Sequence, residues 1–377
     1  MFRALGARVL LDSDDGAPAT GWTVGSVWDW ATHGLEGAPP RWAEGEHIIG
    51  TTRIRCLRAA DGDQLLLRTT LHRPDEWEPT IVWRSTVDLL EDDGVVEVGI
   101  AVEQDLRHHR IAPTPLQPPL LSLLHSLALR GTRAGSQPVS AEAQTIVGTE
   151  SVARFVDRVL LDRERQLPVL LFTSVKEREG VYMPEGTNPS LVARELCGLA
   201  HVYLIPRAED THKLTRRLRL LSAYDGAVRI YWPRMTVQDS PPRHPLHLRT
   251  RLNHTSVPAI ERRIIEAGAR AYRPPDGTAA LIARRWRAEQ RERLDMLMAA
   301  ETDSERREAV LISELLQVTE ENVRLTQDLE TVRDELERAL RRLEEQTSAD
   351  PAVDAFSGDG QNGDGQSGVE AMKSATI

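Results

Sequence analysis

Thr173, Ser174 and Lys176 follow directly on the apolar run at 167–172, and this is the first place where the chain could do chemistry. In an open α/β sheet, ligands gather beyond the carboxyl ends of the strands. Two hydroxyls and an ammonium at such an end are suited to holding an anion. The same reasoning adds Arg207, after the apolar run 201–205, and Trp232 and Arg234, after the run 227–231. The six together form a candidate site for an anionic or nucleotide-like ligand. No glycine-rich phosphate loop follows the first of these runs, so no cofactor is expected. Ser174 lacks the G-x-S-x-G setting of an activated nucleophile, and Cys197 falls on an apolar helical face, where a thiol packs as a small hydrophobe. The close histidine pairs, His108 with His109 and His244 with His247, lack cysteine or carboxylate companions at ligand spacing, and no metal site is expected.

A second chemical signal is electrostatic. The formal charge of the chain is −10, yet between 204 and 273 fourteen Lys or Arg stand against six Asp or Glu. Tyr203, Tyr224, Tyr231, Trp232 and Tyr272 are interleaved with these cations, a combination able to contact phosphates and stack on bases. Arg216, Arg217, Arg219, Arg229, Arg243, Arg249 and Arg251 are accordingly candidate nucleic-acid contacts. Pairing with acidic residues of the same chain is the plainer expectation.

The elements that would position these groups fall into successive regions. Six of the eight tryptophans lie in the first 83 residues, where the apolar pattern has a period of two, and residues 1–110 are expected to form an antiparallel β domain. Ile81, Trp83, Val87 and Leu89 share one face of a strand, and Val96, Val98, Ile100 and Val102 share one face of the next, with a turn at 91–94 between them. A Pro-rich crossing and a helix fill 111–149. From 150 to 235 helical faces alternate with wholly apolar runs, which is the pattern of a parallel sheet covered by helices, so a Rossmann-like three-layer α/β unit is expected there. Asn188 is placed to cap a helix that begins at Pro189, and Asp225-Gly226 to launch a third strand in which Arg229 is either paired or near an edge. A basic irregular segment with a short helix occupies 236–276.

Residues 277–346 are expected to be helical and to end in a coiled coil. Leu315, Asn322, Leu329, Leu336 and Leu343 recur at position a of a heptad, and Leu311, Val318, Leu325, Val332 and Ala339 at d. A seam of this kind needs a companion helix. The expected partner is a second copy in a parallel homodimer, favoured by Asn322 at an a position, or another coiled-coil protein. The Gly/Asp/Ser-rich tail at 347–377 is expected to be disordered.

The fold class is thus expected to be α+β multidomain, with a coiled coil and a disordered tail. Apolar residues make up 40% of the chain and no apolar run approaches membrane-spanning length, so no membrane association is expected. Two distant cysteines argue for a reducing compartment, and three lysines among 47 basic residues suggest a GC-rich bacterial genome. The expected role is a non-enzymatic cytoplasmic adaptor or regulatory protein, with nucleic acid as a further partner through the basic segment. The competing reading is a hydrolase or nuclease acting on nucleotides or nucleic acid at the strand ends.

Overall fold

The computed structural model describes residues 2–12, 19–75, 81–104, 118–177, 180–182, 187–252 and 256–299, together with 312, 313, 315, 316 and 319. The chain divides into one unit ending at Glu289 and another beginning at Gln290. The first unit contains two sheets. Among the described residues the elements are mixed α and β, with seven α-helices.

The larger sheet has eight strands, all antiparallel. They are β1 (Phe2–Asp12), β2 (Gly45–Ile49), β3 (Thr52–Asp61), β4 (Gln64–Pro74), β5 (Val82–Asp92), β6 (Val95–Gln104), β7 (Arg133–Ala134) and β8 (Gln137–Pro138), in the order β2-β3-β4-β5-β6-β1-β7-β8. The expected hairpin is present: Val95 pairs with Asp92 across a turn in which Asp93 and Gly94 both have positive φ, the conformation that suits a two-residue connection. Its alternation is also as expected, since Trp83, Val87, Leu89, Val96, Val98 and Ile100 are all buried on one face. That face packs against helices α1 (Ala19–Thr32) and α2 (Pro118–Leu129) in a single core. The tryptophan-rich segment at 19–32 is therefore helical and does not add strands. Its buried positions Thr23, Val27, Trp28, Trp30 and Ala31 lie along one side of a 3.6-residue helix, and the bulk of the aromatic rings serves a helix–sheet interface as well as it would a strand.

The smaller sheet has the order β15-β14-β10-β13-β9. Its strands are β9 (Gln144–Thr145), β10 (Val169–Thr173), β13 (His201–Ile205), β14 (Val228–Tyr231) and β15 (Leu246–His247), while β11 (Val175–Glu177) and β12 (Gly180–Tyr182) form a separate hairpin. Helix α3 (Thr149–Arg154), continuing as a π-helical turn through Leu160, and helix α5 (Ala208–Leu218) cover one face. Helices α4 (Pro189–Glu195) and α6 (Ser256–Ala271) cover the other. Asn188 caps α4 as expected, its Oδ1 accepting from the amides of Ser190 and Leu191.

The expectation of a parallel third strand is corrected. β10 and β13 are parallel, but β14 runs antiparallel to β10, with Val169 opposite Tyr231 and Phe172 opposite Val228. The reason is a second chain reversal. Arg219, at φ 50°, ends α5, and residues 220–222 then lie alongside β14, where the Arg229 guanidinium donates to the Leu220 and Ser222 carbonyls and the Tyr231 hydroxyl to the Leu221 carbonyl. The Asp225-Gly226 turn, again at positive φ, reverses the chain once more. Two reversals where one was expected invert the strand.

Helix α6 serves both sheets. Val257, Ile260 and Ile264 enter the core of the smaller sheet, while the residue just beyond its last turn, Tyr272, lies against Gly6 of β1 and Gly99 of β6. A Cβ at position 6 would come within 2.3 Å of the Tyr272 Cβ, so glycine is what allows this approach. Helix α7 (Thr278–Ala299) follows, with Leu281 buried against Ala59, Leu66 and Leu90. No described helix is long and apolar enough to cross a membrane. Of the heptad residues only Leu315 is described, and it is exposed; Val318, Asn322, Leu325, Leu329, Val332, Leu336 and Leu343 lie outside the described residues, as does the tail.

Candidate functional site

The antiparallel course of β14 separates the six residues drawn together from sequence. Thr173, Ser174, Lys176 and Arg207 stay at the carboxyl end of β10 and β13, whereas Trp232 and Arg234 emerge at the opposite end of the sheet, roughly 15 Å away at about 3.3 Å per residue. The two hydroxyls are already committed. Thr173 is fully buried and its Oγ1 donates to the Ala227 carbonyl at 3.0 Å; the Ser174 Oγ donates to the Pro206 carbonyl at 2.6 Å. Lys176 sits in β11 opposite Val181, and Arg207 is the exposed N-cap residue of α5.

The other end of the sheet holds a cavity of about 950 Å³. It lies between β1 of the larger sheet, the segment 163–168 leading into β10, the exit of β14 at 232–234, and the end of α6. Five arginines line it: Arg8, Arg163, Arg165, Arg234 and Arg273. Glu164 is the one carboxylate among the described lining residues, and Tyr272 adds a phenol whose pKa burial and the nearby Asp88 carboxylate push upward, keeping it protonated. Between these polar groups the surface is apolar, formed by Ala7, Leu10, Leu167, Pro168, Leu199 and Ala267.

Local structure explains how the guanidiniums are held. Arg165 is 1% exposed, and its two terminal nitrogens donate to the carbonyls of Leu167 (2.7 Å), Trp232 (2.8 Å), Tyr231 (3.1 Å) and Leu160 (3.4 Å). It thereby ties the entry of β10 to the exit of β14. Its Nε has no partner among the described residues, and burial lowers the guanidinium pKa to about 10, still charged near neutrality. Arg8 pairs with Glu97 and Asp276, and Arg273 donates to the carbonyls of Tyr272 and Arg270. Arg163 and Arg234 are exposed, and among the described residues neither has a carboxylate partner. Arg234 holds φ 58°, a left-handed conformation that costs a non-glycine residue on the order of 1 kcal/mol and aims this stretch at the cavity rim.

A histidine–aspartate relay steadies the same rim. His244 is fully buried; its Nδ1 accepts from the Trp232 amide at 3.1 Å and its Nε2 faces Asp239 at 2.8 Å, an arrangement that requires the neutral ring with the proton on Nε2. Burial lowers its pKa and so favours that neutral form, against the pull of Asp239. His201, at the start of β13, is also at this end of the sheet. Burial, with the neighbouring Arg165 charge, drives its pKa down to about 4, and its Nε2 has no partner among the described residues.

The basic stretch at 204–273 does not form one free cationic face. Arg229 is an interior residue bonded to four carbonyls. Arg217 pairs with Asp157 and Arg243 with Asp239. Arg249 is half-buried, and Arg216, Arg219 and Arg251 are exposed on α5, the turn after it and a loop. Arg8, Arg163, Arg165 and Arg273 are not marked out by sequence, because a cavity between two sheets leaves no local pattern. The arginine cluster Arg163-Glu164-Arg165 just ahead of a buried strand was the available signal. Two G-x-G-x-x-G spacings, Gly358–Gly363 and Gly363–Gly368, lie in the tail outside the described residues and follow no strand pattern.

No family model matches the chain, and neither a curated protein nor a solved structure matches it.

Proposed function

We propose that this chain is a non-enzymatic regulatory or adaptor protein of a bacterial cytoplasm, which binds an anionic ligand in the arginine-lined cavity and engages a second copy or another coiled-coil protein through its C-terminal heptads. The observation that carries the ligand half is the lining of one apolar-floored cavity by five arginines, with Arg163 and Arg234 exposed at its rim and a single carboxylate among the described lining residues. Among the described residues, Glu164 and Tyr272 are the titratable groups that accompany them in the lining, and neither is set against a nucleophile. The association half rests on the seam from Leu315 to Leu343. We read the layering of α3 and α5, the smaller sheet, and α4 and α6 as Rossmann-like in layers, rebuilt around an antiparallel edge.

Calorimetric titration with pyrophosphate tests the first half: micromolar binding that weakens with added salt, and that Arg163→Ala with Arg234→Ala reduces at least about tenfold, is expected. Absence of binding at low salt overturns it. Sedimentation of the full chain tests the second half, with Leu329→Glu and Leu336→Glu expected to convert a dimer to a monomer. A nucleotide- or nucleic-acid-hydrolysing activity abolished by Ser174→Ala, Lys176→Ala and Arg234→Ala together would instead favour the enzyme reading.

A further inference from the structure

We infer that the ligand of this cavity is a nucleoside phosphate, bound with its phosphates on the guanidinium rim and its base on the apolar floor; this rests on the anion-binding reading above. Two observations on the shape and lining of the cavity converge on it. The volume of about 950 Å³ lies at the upper end of the range of small-molecule sites and is far larger than a phosphate or pyrophosphate fills. The floor of Ala7, Leu10, Leu167, Pro168 and Leu199 would be left wet by a purely ionic ligand, so the occupant has an apolar body as well as a charged head.

The polar groups are distributed to suit the same ligand. Arg163 and Arg234, which lack carboxylate partners among the described residues, stand at the rim on the smaller-sheet side, while Arg8 and Arg273 stand on the larger-sheet side. Phosphates between them would be gripped from both. Arg165 lies deeper, 1% exposed and bonded to four backbone carbonyls, and adds positive potential beneath the rim. The half-buried Trp232 adds an indole to the wall. With side-chain guanidiniums holding the phosphates, no glycine-rich phosphate loop is needed.

Titration of the full chain with ADP, GDP, adenosine and pyrophosphate tests the assignment. ADP or GDP is expected to bind at least about tenfold more tightly than either adenosine or pyrophosphate, since only the intact ligand uses both surfaces. Ala271→Phe, at an exposed helical position lining the cavity, is expected to fill the floor and lower nucleotide affinity to that of pyrophosphate without lowering the melting temperature. Arg163→Ala is expected to weaken nucleotide and pyrophosphate alike and leave adenosine unchanged. Pyrophosphate binding as tightly as the nucleotides would overturn the nucleoside assignment while leaving the anion-binding reading in place. Adenosine binding as tightly as ADP would overturn the role of the rim, and binding of none of the four would overturn both readings.

Discussion

Replacing Arg229 with methionine should destabilise the first unit strongly, because this guanidinium is an internal fastener. It is 1% exposed, and it donates to Leu220 (2.7 Å), Ser222 (2.8 Å), His244 (2.9 Å) and Pro241 (3.3 Å), which belong to two separate stretches of irregular chain. Each charge-assisted bond contributes about 1.5–3 kcal/mol, so the three short ones amount to roughly 5–9 kcal/mol gross. Relief from holding a charge out of water returns several kcal/mol to the variant, which leaves a net loss of about 3–4 kcal/mol. For a unit of this size that corresponds to a fall in melting temperature on the order of 10 °C. Arg229→Lys retains the charge but cannot reach both stretches at once, and a loss of about 2 kcal/mol is expected. Urea unfolding followed by tryptophan fluorescence, with a thermal scan, measures both. The methionine variant should also bind pyrophosphate less tightly, since the Pro241–His244 loop that Arg229 fastens carries the ring bonded to the Trp232 amide. A methionine variant with an unchanged unfolding midpoint would refute the reasoning.

His201 should make stability acid-sensitive: its folded pKa of about 4 lies below the ordinary value, so its contribution is fully present above about pH 6.5 and is lost as the pH falls through 4. The stake is about 3 kcal/mol, and His201→Phe should flatten the pH dependence of the urea midpoint over that window. Gly6→Ala should cost about 2–3 kcal/mol through overlap with Tyr272, read in the same unfolding assay, with no compensating gain in affinity for any anion. Asn188→Ala should remove the cap of α4 and cost about 1 kcal/mol, whereas Asn188→Asp should cost almost nothing.

Much of the fold was legible because burial imposes a period. The hairpin of Trp83–Leu89 with Val96–Val102 could be read residue by residue, since one wet face and one dry face write an alternation into both strands. The helices around Phe155, Asn188 and Leu214 were legible for the same reason. Strand direction was not. The segment 228–231 is buried on both sides, and a uniformly apolar run carries no arrow; its direction depends on Arg219 adopting a positive φ, which the residue type does not announce. Strand β1 was missed because its partner β6 lies some ninety residues away and its outer face is built of arginines paired to Glu97 and Glu103. That miss removed one wall of the cavity from view. Of the six residues first placed at the site, Trp232 and Arg234 line the cavity, and they do so from the strand end opposite to the one expected.

The double duty of α6 bears on how the protein can be taken apart. Its first turns fill a hollow in the smaller sheet, and the tyrosine at its far end closes over two glycines of the larger one. A fragment ending before residue 256 would therefore lay bare oily surface on both sheets at once, and neither half could be expressed soluble merely by trimming the linker between them. Any dissection that keeps the first 250 residues must carry the chain at least through Pro275, whose ring rests against Gly99.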